Sequence, residues 1–308
     1  MEFTPVQTLY EFIDNALKLL LTTGIRNVML ALGALIGTFW LLNFTMRSMR
    51  WLVMGLNQSA QDIVYEIFKM TFIAGMAFNV GWYITTIVPF VTDAPAWMGG
   101  LLSGQSGSQV NQIDSMIATY SSTLIAMIKN QAFSLLKMDM SVLYTGGISI
   151  VLFILGGIPF LLAVVSTLLV IKAATTMLLA LGPLFIAFAL FDRTRQWFWG
   201  WVSQMAGFML TQVLFSVVLA MEVAFINTAV LKDGKMDPSI SGSISMFIFF
   251  AVFLVLVTEL PNYAASIMGS SAAGAGVSGV VSKYSGIRTA ARVANFARSK
   301  LPGNKIAG

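Results

Sequence analysis

Long runs without a charged side chain dominate this chain. Six are mostly apolar: residues 27–46, 70–92, 140–171, 173–191, 196–221 and 238–258. A helix needs about 20 residues to cross a hydrocarbon layer of about 30 Å, and nearly every one of these runs has that length. Two more uncharged runs, 94–113 and 260–282, are rich in Gly, Ser, Ala, Gln and Pro and read as loops. The pattern predicts an all-α, polytopic transmembrane protein.

Between and before these runs the periodicity changes. Thr4-Pro5 reads as an N-cap and first helical position, with Gln7 at the third. Val6, Leu9, Tyr10, Ile13, Leu17 and Leu20 then share one face, with Gln7, Glu11, Asp14, Asn15 and Lys18 opposite. That predicts an amphipathic helix over 1–24 lying at the bilayer surface, and no cleaved signal peptide. From Asn111 onward Ile113, Met116, Ile117, Tyr120, Leu124, Met127 and Ile128 recur at helical spacing, after a capping signal in Asn111 and Asp114. This central helix needs a partner for its stripe. Two readings are open: packing on its own bundle, or contact through Ile113, Ile117, Tyr120 and Leu124 with another subunit or an extracytoplasmic protein.

Composition sharpens the class. Of 308 residues 57% are hydrophobic and 10% charged, with a mean hydropathy of +0.82; soluble domains carry about 25% charged residues. Cysteine and histidine are both absent, which removes disulfides, Cys or His metal sites and the commonest general base. No run has a central carboxylate or cation, and no pair of catalytic residues stands out. No enzyme, cofactor or metal is expected. The edge charges Lys172, Asp192, Glu222 and Glu259 read as interfacial or snorkelling groups.

Charge sets the topology only partly. The basic tail, with Lys283, Arg288, Arg292, Arg298 and Lys300, favours a cytoplasmic C-terminus. Six crossings would put the N-terminus inside. Five, with 173–191 entering and returning, would put it outside, together with the central loop. Lys and Arg divide 12 to 6 in both arrangements. Gly182-Pro183 favours five, because Pro costs a helix interior about 3 kcal/mol and a re-entrant segment buried among helices tolerates the break. Pro also occurs in ordinary transmembrane helices, and six crossings stay open. The five-span arrangement also gathers Arg47, Arg50, Lys69, Lys172, Arg193 and Arg195 on one side. The expected segments are an interfacial helix at 1–24, two spans in 25–92, a helical periplasmic loop at 93–145, a membrane bundle at 146–258 and a cytoplasmic tail at 259–308.

The most specific stretch is residues 178–201, LLALGPLFIAFALFDRTRQWFWGW. Gly182-Pro183 is followed by an apolar run to Phe191, then Arg193 and Arg195, then Trp197, Trp199 and Trp201. A positive stop and an interfacial aromatic belt account for these residues. The stretch, with an N-terminal helix, two spans, a central loop and a Gly/Ala/Ser-rich basic tail, resembles the TrbL/VirB-type polytopic inner-membrane subunits of bacterial type IV secretion systems.

The resemblance implies a non-enzymatic platform or channel component for conjugative DNA or protein transfer and pilus assembly. It also implies homo-oligomers working with pilins, a minor pilin, an inner-membrane scaffold and ATPases. A secondary transporter or small-solute channel is the alternative; it would need a midplane polar site at repeated broken helices, and no repeat is visible. Gly33 and Gly37 form a GxxxG suited to close helix packing, within the chain or between copies. For the tail, anionic lipid, translocated DNA and an ATPase are the candidate partners.

Overall fold

The computed structural model describes residues 23–54, 56–104, 109–136, 140–226, 231–232, 235–236 and 240–269, with isolated positions at 8, 11–13, 15 and 228. Most of the expected 1–24 helix and all five named cations of the basic tail lie outside the described residues.

The described residues are almost wholly helical. The helices are α1 (Ile25–Met54), α2 (Leu56–Phe78), α3 (Val88–Ser103), α4 (Gln109–Leu136), α5 (Met140–Ala180), α6 (Gly182–Phe188), α7 (Arg195–Phe225) and α8 (Ile240–Met268). A two-residue antiparallel ladder, Leu231–Lys232 with Lys235–Met236, sits between α7 and α8. The protein is an all-α polytopic helical protein. Four helices are long and apolar enough to cross a membrane: Ile25–Trp51, Tyr144–Ala180, Arg195–Phe225 and Ile244–Met268. The pair Ala60–Phe78 and Val80–Ser103, bent by 63°, makes a fifth if it is one span.

That bend is built by sequence. Asn79 leaves helical geometry and its side-chain oxygen accepts from the Trp82 N–H at 3.1 Å, restarting the helix at Val80–Trp82. A π-helical turn, Tyr83–Ile87, then leads into α3. The expected loop at 94–113 is a correction: residues 94–103 complete α3, which ends at Gly104 with φ +69°, and α4 begins at Gln109 rather than near Asn111. Glycines there serve contact rather than flexibility. A Cβ on Gly99 would lie 2.7 Å from that of Ser216 on α7. Likewise α8 runs through Pro261 to Met268, where a loop from 260 was expected.

Residues 140–171 and 173–191 are not two separate crossings. One helix of 41 residues passes straight through Lys172 and stops at Ala180, a length of about 60 Å at 1.5 Å per residue. The second run therefore divides into the end of α5, the short α6 and a turn.

Two apolar clusters organise the bundle. The first joins α4, α5, α7 and α8 around Phe153, Phe160, Phe215 and Phe250. Here the α4 stripe finds its cover: Ile113, Met116, Tyr120 and Met127 are buried against the chain's own helices. Tyr120 stacks on Phe153 with centroids 4.4 Å apart, and its hydroxyl donates to the Phe153 carbonyl at 2.9 Å. Gly157 leaves the space the Tyr120 ring occupies. The second cluster joins α1, α2, the π-helical turn, the end of α5, α6 and the start of α7 around Tyr83, Ile186 and Trp201.

Candidate functional site

The second cluster is where the break at Gly182-Pro183 is resolved. Proline has no N–H, so the carbonyl four residues earlier, Leu179, loses its helical partner. The Tyr83 hydroxyl takes that place, donating to Leu179 O at 2.8 Å. Beside it, the Trp201 indole N–H donates to Leu178 O at 3.1 Å. Two carbonyls at a broken helix, one buried and one partly so, are thus satisfied by side chains of two other segments, as a low-dielectric interior requires. Gly182 is needed for the approach: a Cβ there would fall onto the Tyr83 hydroxyl and 3.1 Å from the Trp201 ring. The Phe185 ring stacks parallel to Trp201 at 6.3 Å.

This places the predicted aromatic belt differently. Trp201 is 8% exposed and belongs to the interior, whereas Trp197 and Trp199 are half exposed. Pro183 is buried, Phe191 is half-buried, and Arg193 and Arg195 are exposed. The turn after α6 closes when the Thr194 hydroxyl donates to Phe188 O at 2.8 Å and the Arg195 N–H to Phe191 O at 3.0 Å.

Just outside this pivot lies an ionic cleft of about 490 Å³. Arg47, Arg50 and Trp51 of α1, Asp62, Tyr65, Glu66 and Lys69 of α2, Asp192 of the turn and Arg195 of α7 line it. Arg47 is the bridge. One of its terminal nitrogens donates to Glu66 Oε2 and the other to Asp192 Oδ2, both at 2.8 Å. Lys69 donates to Leu190 O at 2.9 Å and lies 3.7 Å from Asp192 Oδ1. Four cations and three carboxylates leave the cleft a formal excess of one positive charge. Arg50, Asp62 and Arg195 make no ion pair among the described residues.

The Arg47–Asp192 contact bears on the number of crossings. With six crossings, the end of α1 and the turn at 192 would lie on opposite sides of the bilayer. A direct ion pair places both at the same end of the bundle. Of the cations expected to gather there, the cleft contains Arg47, Arg50, Lys69 and Arg195. Lys172 is excluded: it sits inside α5, nine residues before Leu181, or about 13 Å along the helix.

The remaining sequence candidates separate. A Cβ on Gly33 would lie 3.8 Å from the Phe78 ring, so this glycine serves packing between α1 and α2, while Gly37 faces open space. Ile117 and Leu124 pack at the edge of the cluster that buries Ile113 and Tyr120. Glu222 departs from the expected snorkelling group: it is fully buried near the end of α7, with neither oxygen hydrogen-bonded. Among the described residues no cluster of acidic groups could hold a metal ion. Sequence reasoning missed Tyr83, Glu66 and Asp192 as site residues. The one available signal was Pro183, which announces an orphaned carbonyl but not its donor.

The chain belongs to the TrbL/VirB6 plasmid conjugal transfer protein family, whose family model matches residues 40–260 and so takes in the bend, the pivot and the ionic cleft together. It is a multi-pass membrane component of a conjugal transfer, type IV secretion apparatus. No individual curated protein matches the chain.

Proposed function

We propose that this protein is a non-enzymatic platform subunit in the bacterial inner membrane that supports passage of conjugative DNA or protein and assembly of the pilus. The family match over residues 40–260 carries the reading. The build is in keeping with it: a helical bundle in which Tyr83 closes a helix break and Arg47 joins three segments by ion pairs. In this reading the ionic cleft faces the cytoplasm, as the positive-inside preference favours. The end of α4, the start of α5 and the ladder between α7 and α8 then face the periplasm, where pilins and minor pilin would meet them. The platform assembles from several copies, beside a membrane scaffold and cytoplasmic ATPases. The uncovered α1 face that includes Gly37 is the candidate contact between copies.

Deletion of the gene from a conjugative plasmid tests this. Transfer is expected to fall by orders of magnitude and to return when the gene is supplied in trans. Transfer at wild-type frequency from the deletion strain would end the reading.

A further inference from the structure

The cleft does not stand alone on α2. Immediately beside it runs an open apolar groove of about 540 Å³, lined by Ala60, Gln61, Val64, Tyr65 and Phe68. Tyr65 lines both. Val64, Tyr65 and Phe68 are each more than 60% exposed, and Phe68 stacks along the surface on Phe72. One end of this composite site is therefore cationic and the other greasy, with an aromatic side chain at the junction. That is the shape of an amphiphile at a membrane surface.

Charge narrows the occupant. Within the cleft, Arg47 and Lys69 are already engaged by Glu66 and Asp192, whereas Arg50 and Arg195, from α1 and α7, pair with no carboxylate among the described residues. We propose that the cleft and groove together bind one anionic phospholipid, its phosphodiester held between Arg50 and Arg195 and an acyl chain laid along Val64 and Phe68. A singly charged headgroup neutralises the excess of one positive charge. Bidentate guanidinium–phosphate contacts give the geometry that two arginines can supply and that two lysines could not. Basic pockets between spans hold anionic headgroups by this chemistry. A nucleic-acid strand fits less well, because three carboxylates line the cleft and a backbone carrying a charge at every nucleotide would meet them in succession. Asp62, exposed and without an ion pair in the same cleft, opposes any anion there.

The proposal concerns the site itself and stands apart from the transfer role; a failed lipid assay would leave the family membership and the deletion phenotype untouched. Native mass spectrometry of the delipidated full chain in detergent, titrated with phosphatidylglycerol and with phosphatidylethanolamine of the same acyl chains, reads it directly. The anionic lipid is expected to bind at least about fivefold more tightly, the worth of one surface cation. Replacing both arginines (Arg50→Gln with Arg195→Gln) should weaken it by about 25-fold on the same scale. Asp62→Asn should tighten it, a gain that misfolding cannot imitate. Equal binding of the two lipids, or an unchanged affinity in both variants, would overturn the proposal. So would displacement of the lipid by soluble glycerophosphoglycerol or by a single-stranded oligonucleotide at the lipid's own concentration, which would make the cleft a plain anion or nucleic-acid site.

Discussion

At Pro183 one missing hydrogen atom determines the surroundings of two other segments. The Leu179 carbonyl that it orphans is buried, and an unmade buried hydrogen bond costs about 1–3 kcal/mol, so Tyr83 and its π-helical turn are fixed opposite it. Tyr83→Phe removes only the donor and should lower the unfolding free energy by that amount. Gly182→Ala should cost a similar amount by a different route, because its Cβ would push on the Tyr83 hydroxyl and the Trp201 ring and overpacking costs about 1–3 kcal/mol. Gly37→Ala is the contrast. Nothing lies within 4 Å of its Cβ position, and Ala is the better helix former by about 1 kcal/mol, so the monomer should hold or gain stability. Thermal unfolding of the three variants in one detergent checks this order. A Gly37→Ala protein that keeps its melting temperature but loses its oligomers would identify the α1 face as a contact between copies.

Among elements, Arg47 is what fastens α1 to α2 and to the turn before α7, and its two ion pairs are unequal. Glu66 is only 5% exposed at its side chain, whereas Asp192 is 65% exposed. An exposed pair contributes roughly 0–1 kcal/mol and is screened by salt. Removing the partner of a buried carboxylate is the costlier change, up to about 3–5 kcal/mol for full burial, reduced here because Arg47 itself is partly solvated. Arg47→Ala should therefore lower the melting temperature by several degrees. Asp192→Ala should lower it by a degree or less at low salt and not at all at 1 M salt. Equal losses in the two would mean that the turn, rather than Glu66, is the anchor. Glu222 extends the same reasoning to α7. Its carboxyl is buried with no hydrogen-bond partner, so Glu222→Gln, which keeps the volume and deletes the charge, should hold or raise the melting temperature. A fall of several degrees would point to a partner outside the chain.

For the whole molecule, length and charge silence were enough to predict crossing helices, because the bilayer imposes both on any sequence. Residues that do two things were harder to read. Gly99 and Pro95 look like loop residues, yet they lie inside α3, where a small side chain lets Ser216 approach; in a bundle, smallness serves contact. Trp201 looked like a membrane anchor because its acceptor, Leu178 O, and its neighbour Tyr83 are reached only by folding. The α4 stripe was legible, but its cover was not, since periodicity shows an apolar face and never what lies against it. That stripe also fixes how sidedness is tested. The chain has no cysteine, so one introduced thiol reports one position, but Tyr120 is 6% exposed and would be silent wherever it lay. Lys129, exposed on the same helix, and Arg193, exposed on the turn after α6, are the useful pair. Tyr120 packs beside Phe153, and α5 runs from there to Ala180 before the pivot, a separation of about 40 Å that puts the two positions at opposite ends of the bundle. With the cleft facing the cytoplasm, Lys129→Cys should react with a membrane-impermeant maleimide in spheroplasts, and Arg193→Cys only after the cells are lysed. The reverse pattern would invert the whole molecule in the membrane; labelling of both before lysis would mean that the ends joined by Arg47 and Asp192 do not stay on one side.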